Sequence, residues 1–280
     1  VMLVLARIMA RSLIEPVVLL KQGVEEVESG NFNTAVVLPG SDEMVELAQA
    51  FNKMNQGLDE RERMTRYLSR SAVNAVVSGE DRQMGGRRVP ATILFSDIRS
   101  FTTISEANSA EEVVKLLNEY FAAMNIVVER FGGDIDKFIG DAIMAQFITG
   151  DDMNPASLAL NAVRCALGMM QALAEFNQQR VAKGLFTLKI GVGINSGEVI
   201  AGNIGSPGRM DRTVIGDTVN VASRLEGMSK LGRHTCVIIS RSTLELVRHH
   251  VEVEQLAETA VKGKTTVVEM FEVIRLTEYN

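Results

Sequence analysis

The chain has 280 residues, more than one ordinary domain needs, so two folded units are expected. Hydrophobic residues make up 46% of it, enough for packed cores, which excludes a disordered chain. The formal net charge of −6 argues against a nucleic-acid partner, and it means that any polyphosphate must be met by locally placed cations.

No run of 18 apolar residues occurs, so no complete membrane span is expected. The opening Val1-Met2-Leu3-Val4-Leu5-Ala6, followed by Arg7 and Arg11, reads as the end of a truncated transmembrane helix at residues 1–7 with basic residues on its inner side. The alternative is the start of an amphipathic helix. The first reading puts the chain at a cell membrane, with this part on the cytoplasmic side. Cys165 and Cys236 fit no metal or redox spacing and sit in apolar runs, as buried thiols of a reducing compartment do.

Residues 8 to about 30 read as a helix, with Leu13, Val17, Leu20, Val24 and Val27 alternating by four and three. Pro16 lies near its start and Gly30-Asn31 ends it. An extended stretch over 31–41 follows. A second helix starts near Ser41-Asp42-Glu43, with carboxylates at its positive end, and Leu47, Phe51, Met54 and Leu58 repeat the seam. Neither helix can bury its seam alone, which implies a parallel dimeric four-helix bundle. With the Asn31-Phe32 exit, the Asp42-Glu43 pair and the Glu46–Met54 run, residues 8–60 resemble a HAMP domain, a relay between a membrane span and an output domain.

A linking helix is expected over 61–79, ending at Gly79 within a linking segment 61–85. The polar Gly85-Gly86-Arg87-Arg88 marks the boundary of a second domain, 86–280. Its elements alternate. Ala91–Phe95 is a buried strand. Ser109-Ala110-Glu111-Glu112 is a capping box opening a helix striped with Val113, Leu116, Leu117, Tyr120, Met124 and Val127. A hairpin turns at Gly140-Asp141, with Ile135, Lys137 and Ile139 on one face. A long helix runs from about Pro155 to Lys183. A strand over Leu188–Ile194 leads into a second hairpin through Asn195-Ser196-Gly197. The order is the ferredoxin-like βαββαβ plan, an α+β class.

Asp97 follows the first strand and Asp141 sits at the hairpin tip. If that hairpin pairs beside the first strand, the carboxylates converge as hard oxygen ligands for Mg²⁺. Each alone is equally a cap or an ordinary turn residue. The segment from Ile98 through Arg99, Ser100, Phe101 and Thr102 can offer backbone N–H groups to phosphates. Lys137, a lysine among isoleucines, needs a partner or a function. Asn220 and Arg224, four apart, share a helix face suited to a ribose oxygen and a phosphate. Lys262 and Lys264 form a cationic turn.

Taken together, Phe95-Ser96-Asp97-Ile98-Arg99-Ser100-Phe101-Thr102, the run from Phe131 to Ala142, the run from Asp211 to Arg224, and Val261-Lys262-Gly263-Lys264 resemble class III nucleotide cyclases over residues 89–274. The resemblance implies two Mg²⁺ or Mn²⁺ ions per site held by Asp97, Asp141 and the Ile98 carbonyl. Asn220 orients the ribose, Arg224 stabilises the transition state, and Lys262 holds the terminal phosphates, with Arg209 a further phosphate contact. Phe101 and Thr102 lie against the substrate. It also implies a head-to-tail homodimer with shared active sites, in which the metal aspartates come from one subunit and the remaining groups from the other.

Base choice follows from donor patterns. Lys137 only donates and fits adenine N1, while the Thr213 hydroxyl can accept from N6, so ATP is the expected substrate and cyclic AMP the product. A threonine there resembles the subgroup that includes bicarbonate-responsive cyclases. Rival readings are a guanylate cyclase, a diguanylate cyclase suggested by Gly132-Gly133-Asp134, and a silent dimeric signalling module.

Overall fold

The computed structural model describes residues 2, 14–38, 43–79, 85–148, 154–206, 208–256 and 269–277. The chain separates into two compact units, Val1–Leu68 and Ser69–Asn280.

In the first unit, α1 spans Glu15–Glu28, with Pro16 in its first turn, where a missing N–H costs nothing. Gly30, at φ +88°, turns the chain out of the helix. The second helix, α2, spans Glu43–Thr65. Two of its amide side chains tie down the connector. Asn52 accepts from the Val36 N–H and donates to the Val36 carbonyl, both at 2.8 Å. Asn55 Nδ2 donates to the carbonyls of Phe32 and Thr34 at 2.9 and 2.6 Å. Val36, Leu38, Ala48 and Phe51 form a small core, with Leu20, Val27, Met44 and Val45 against it. Gly23 lies where the connector crosses α1, and a Cβ there would come within 2.7 Å of Val36. The anticipated seam therefore divides. Leu20, Val27 and Phe51 pack within the chain, whereas Val17, Val24, Leu47 and Met54 stay 51–55% exposed.

The single helix expected over 61–79 is two. α2 stops at Thr65, and α3 spans Arg70–Ser78, capped by Ser69 and closed by Gly79 at φ +76°. The polar Gly85–Arg88 stretch is not a loop but the start of β1, Gly85–Ile98, paired with Asn203 to Ile200. Glycine is needed there because a Cβ on Gly86 would meet the Ile200 side chain at 2.5 Å.

The second unit continues with α4 (Phe101–Ala107), α5 (Ala110–Arg130), the β2–β3 hairpin (Asp134–Ile139, Ala142–Phe147), α6 (Pro155–Ala182), β4 (Ile190–Ser206), β5 (Arg209–Ile215), α7 (Asp217–Met228), β6 (Val237–Ser240), α8 (Arg241–Val247), β7 (Val251–Gln255) and β8 (Met270–Leu276). The strands form one sheet in the order β2-β3-β1-β4-β6-β8-β7, with β5 paired to β4. Its β2-β3-β1-β4 part is the expected βαββαβ arrangement. The capping box forms as read, with the Ser109 side chain on the Glu112 N–H and Glu112 on the Ser109 N–H.

The second hairpin lies elsewhere than expected. Asn195, Ser196 and Gly197 run straight on within β4, opposite Ile93, Thr92 and Ala91. The turn comes after Ser206. Gly197 serves close packing, since a Cβ there would approach Thr218 Oγ1 to 2.7 Å.

Alternation along β1 sorts the core. Leu94 and Ile98 join α5 and α6 residues such as Met124, Val128, Ala162 and Met169. Ile93 and Phe95 join Ala222 of α7. Among the described residues, α6 is the helix long and apolar enough to cross a membrane, and its buried face belongs to this core.

Candidate active site

β3 pairs antiparallel with β1, Ile143 opposite Ser96, so the Gly140-Asp141 turn arrives beside the end of β1. Gly140 takes φ +64°, which the two-residue turn requires. The Ile98 N–H donates to Asp141 Oδ2 at 3.3 Å, and this holds the two aspartates together. Burial, then hydrogen bonding and repulsion from Asp97, push the Asp141 carboxyl up to about 7, against the N–H groups of Ile98 and of Asp141 itself. Asp97 Oδ1 is buried with no hydrogen-bond partner among the described residues. Among the groups acting on Asp141, no cation of this chain appears. Two converging carboxylates with an orphaned oxygen, and no described cation acting on Asp141, fit a hard divalent cation.

Behind the pair lies Tyr120, which the stripe on α5 placed in the core. Burial, and after the opposing effect of Ser96 the charges of Asp97 and Asp141, raise its phenol above the ordinary value, so it stays neutral. Arg99, next along the chain, turns away to Glu226 on α7, Nη1 to Oε1 3.7 Å, and donates to Ser229 Oγ. Burial and then Asp97 push Glu226 up to about 7 despite Arg99 and Ser229.

A second cluster lies on β2 and β5. A β-bulge between Ile135 and Lys137 breaks the alternation expected of that strand and leaves Asp136 buried, with Ile139 exposed. Thr213 Oγ1 donates to Asp136 Oδ2 at 2.8 Å, and Lys137 Nζ lies 3.4 Å from the same oxygen. Lys137 and Thr213, read from the sequence as a pair facing the base, share one cluster, and Asp136, which the sequence reading passed over, joins them. Its adjacency to Lys137 was visible; its burial depends on the bulge.

Asn220 and Arg224 share α7 as the spacing required. Asn220 is exposed, and Arg224 Nη1 is buried with no partner among the described residues. Phe101 is half-buried against the core at the start of α4, and Thr102 is exposed. Arg209 is exposed at the β4–β5 hairpin, four residues and so about 13 Å along the strand from Thr213. Nothing described joins it to the other candidates. Lys262 and Lys264 lie outside the described residues.

The sequence pattern of the adenylate and guanylate cyclase catalytic domain matches residues 86–274, and that of the HAMP domain matches residues 8–59. An adenylate cyclase of Anabaena cylindrica is 36% identical over 96% of this chain and 56% of its own, and adenylate cyclase 1 of Rhizobium meliloti is 33% identical over 97% and 40%. The chain therefore spans about half the length of these relatives. Among solved structures, the adenylyl cyclase CyaB of P. aeruginosa superposes with a TM-score of 0.63 at 36% identity, over 67% of this chain and 95% of that one. The guanylyl cyclase Cya2 gives 0.63 at 42%, over 70% and 96%. A cyclase of either base specificity is thus similar to this chain, and base choice rests on side chains. A guanylate cyclase domain from Catenaria anguillulae, 28% identical, was solved in complex with GTP. With its metal-type aspartate pair and its sheet both in place, the chain belongs to the adenylate and guanylate cyclase catalytic domain family and carries a HAMP domain ahead of that domain.

Proposed function

We propose that this chain is the relay and catalytic part of a membrane adenylate cyclase, converting ATP to 3′,5′-cyclic AMP and pyrophosphate in sites shared between two copies. The observation that carries this reading is a split in the chemistry. Among the described residues, no cation acts on Asp141, which is paired with Asp97, while Arg224 presents a buried guanidinium nitrogen with no described partner. Two copies placed head to tail join these halves and form two sites.

Asp97 and Asp141 would hold two Mg²⁺ or Mn²⁺ ions with the Ile98 carbonyl. Bound there, the ions supply charge neutralisation and a lowered pKa for the ribose 3′-OH. Asn220 orients the ribose. Arg224 meets charge as it develops on the α-phosphate, a role worth about 3–4 kcal/mol for a pre-placed donor. Lys137 donates to adenine N1 and Thr213 accepts from N6. Phe101 and Thr102, with Lys262 and Arg209, are the proposed remaining substrate contacts. The exposed Val17, Val24, Leu47 and Met54 would be covered in a parallel dimeric bundle that carries a signal from a preceding membrane helix to the catalytic domain at the cytoplasmic side.

Two measurements test this. Purified protein with Mn²⁺ should make cyclic AMP from ATP and far less cyclic GMP from GTP. Asp97→Ala and Arg224→Ala chains should each be inactive, yet mixed they should regain about a quarter of the starting activity. Half the dimers are then mixed, and each mixed dimer has one intact site. No recovery between chains shown to exchange would place the whole site in one subunit.

A further inference from the structure

We propose that Asp136 is a specificity-determining positioning residue that sets the direction of the Thr213 hydroxyl, and so makes the site accept an exocyclic amine rather than a carbonyl on the purine.

A threonine hydroxyl has one proton and two lone pairs, and it can serve a donor or an acceptor equally. Left free, Thr213 would accept from the 6-amino group of adenine and donate to the 6-oxo group of guanine with little preference. In this chain its proton is already committed, because Thr213 Oγ1 donates to Asp136 Oδ2 at 2.8 Å. What Thr213 then offers is lone pairs alone. The same carboxylate oxygen lies 3.4 Å from Lys137 Nζ and holds that ammonium beside the hydroxyl. One acid thus fixes a donor and an acceptor next to each other, the pattern complementary to N1 and the 6-amino group.

Burial makes the device firm. The Asp136 side chain has no exposed surface, while that of Lys137 keeps 39% of its own. The carboxylate stays inside as a fixed acceptor and its two partners face outward to the ligand. Its other oxygen, Oδ1, is buried with no partner among the described residues, so the acid's hydrogen bonding is concentrated on the two groups it orients. The bulge between Ile135 and Lys137 turns it inward, next to the residue it orients.

This rests on Lys137 and Thr213 reading the base, and the experiment separates the two claims. Turnover of ATP, of purine riboside triphosphate, which lacks the 6-amino group, and of GTP is followed by pyrophosphate release with Mn²⁺. The ratio of kcat/KM values is compared, since it is independent of the folded fraction. The unaltered protein should prefer ATP over the riboside by about fivefold, the worth of one hydrogen bond. Asp136→Leu should leave that preference in place, because the freed hydroxyl still accepts from the amine, and should lower the ATP-to-GTP ratio severalfold, because it can now donate to the 6-oxo group. Asp136→Asn, whose amide oxygen still accepts from Thr213, should keep the ATP-to-GTP ratio. Asp136→Ala gives the same reading as Asp136→Leu should the larger side chain prevent folding. Thr213→Val, which has no acceptor for the amine, should lose the preference for ATP over the riboside. An unchanged ATP-to-GTP ratio in Asp136→Leu and Asp136→Ala, beside a lost ATP-over-riboside preference in Thr213→Val, overturns the role of Asp136 and leaves the base reading intact. An unchanged ATP-over-riboside preference in Thr213→Val overturns the base reading itself. Equal losses with all three nucleotides in the Asp136 variants reduce Asp136 to a structural residue.

Discussion

Two parts of the same sheet hold acidic side chains in opposite ways. On β8, Glu272 has no exposed surface, yet its oxygens accept from four successive backbone N–H groups, Arg233 to Cys236, at 2.7–2.8 Å. Burial would raise its pKa, but those donors hold it below the ordinary carboxylate value. At the end of β1, Asp97 and Asp141 repel each other, one oxygen is orphaned, and Asp141 rises to about 7. A carboxylate that the fold satisfies is architecture. A pair that the fold brings together and leaves unsatisfied is kept for something from outside.

Replacing one member of each group tests this contrast most severely. Asp97→Asn should abolish turnover, by at least about a hundredfold, and erase the rise in Tm caused by Mn²⁺, while the metal-free protein stays as stable as before or gains. Glu272→Ala should lower stability by about 2–3 kcal/mol through its abandoned N–H donors, with the Tm rise on adding Mn²⁺ retained. Were Asp97→Asn to destabilise as Glu272→Ala does, the aspartate pair would be structural after all.

A smaller effect is expected from altering the base cluster. Lys137→Glu would set a second carboxylate against Asp136 and should lose most turnover with either nucleotide. Adding Asp136→Asn removes that conflict and should restore turnover, shifted toward GTP. A single Lys137→Glu variant that remains fully active on ATP would show that the lysine does not meet the base.

The pH profile sharpens the same comparison. The folded-state pKa of Asp141 lies above its unfolded value, so its contribution to stability is fully present below about 4 and is lost as pH rises toward 7. In thermal denaturation without metal, this group should make the protein less stable from pH 4 to 7. Stabilisation by Mn²⁺ should grow over that window, because the metal needs the ionised pair. Asp141→Asn should flatten both trends, and an unflattened profile would assign them to other groups.

The smallest effect concerns the relay unit. One residue inserted near Met64 falls in the last turn of α2 and shifts the point where the chain leaves that helix by about 100°. Turnover should change severalfold while the circular dichroism of the catalytic unit is kept. Unaltered turnover in an intact dimer would make the first unit a clamp rather than a relay.

Much of this protein was legible in its sequence because local rules decide it. The capping box at Ser109, the helix stops at Gly30 and Gly79, the turn at Gly140-Asp141 and the shared face of Asn220 and Arg224 follow from short-range geometry. The convergence of Asp97 and Asp141 needed only one strand pairing beyond that. Three features were decided by long-range contact. Asn195-Ser196-Gly197 carries turn-forming residues, but its ladder with β1 and the approach of Thr218 make it strand. Gly85–Arg88 reads as a break, yet it pairs with β4 through glycines that let two backbones close up. Asp136 is an ordinary acid on an alternating strand until a bulge buries it beneath Lys137 and Thr213. Chain-local propensities determine where helices and turns start and stop. Which polar groups lose their water, and therefore which ones must find a partner or a ligand, is decided only when distant strands meet.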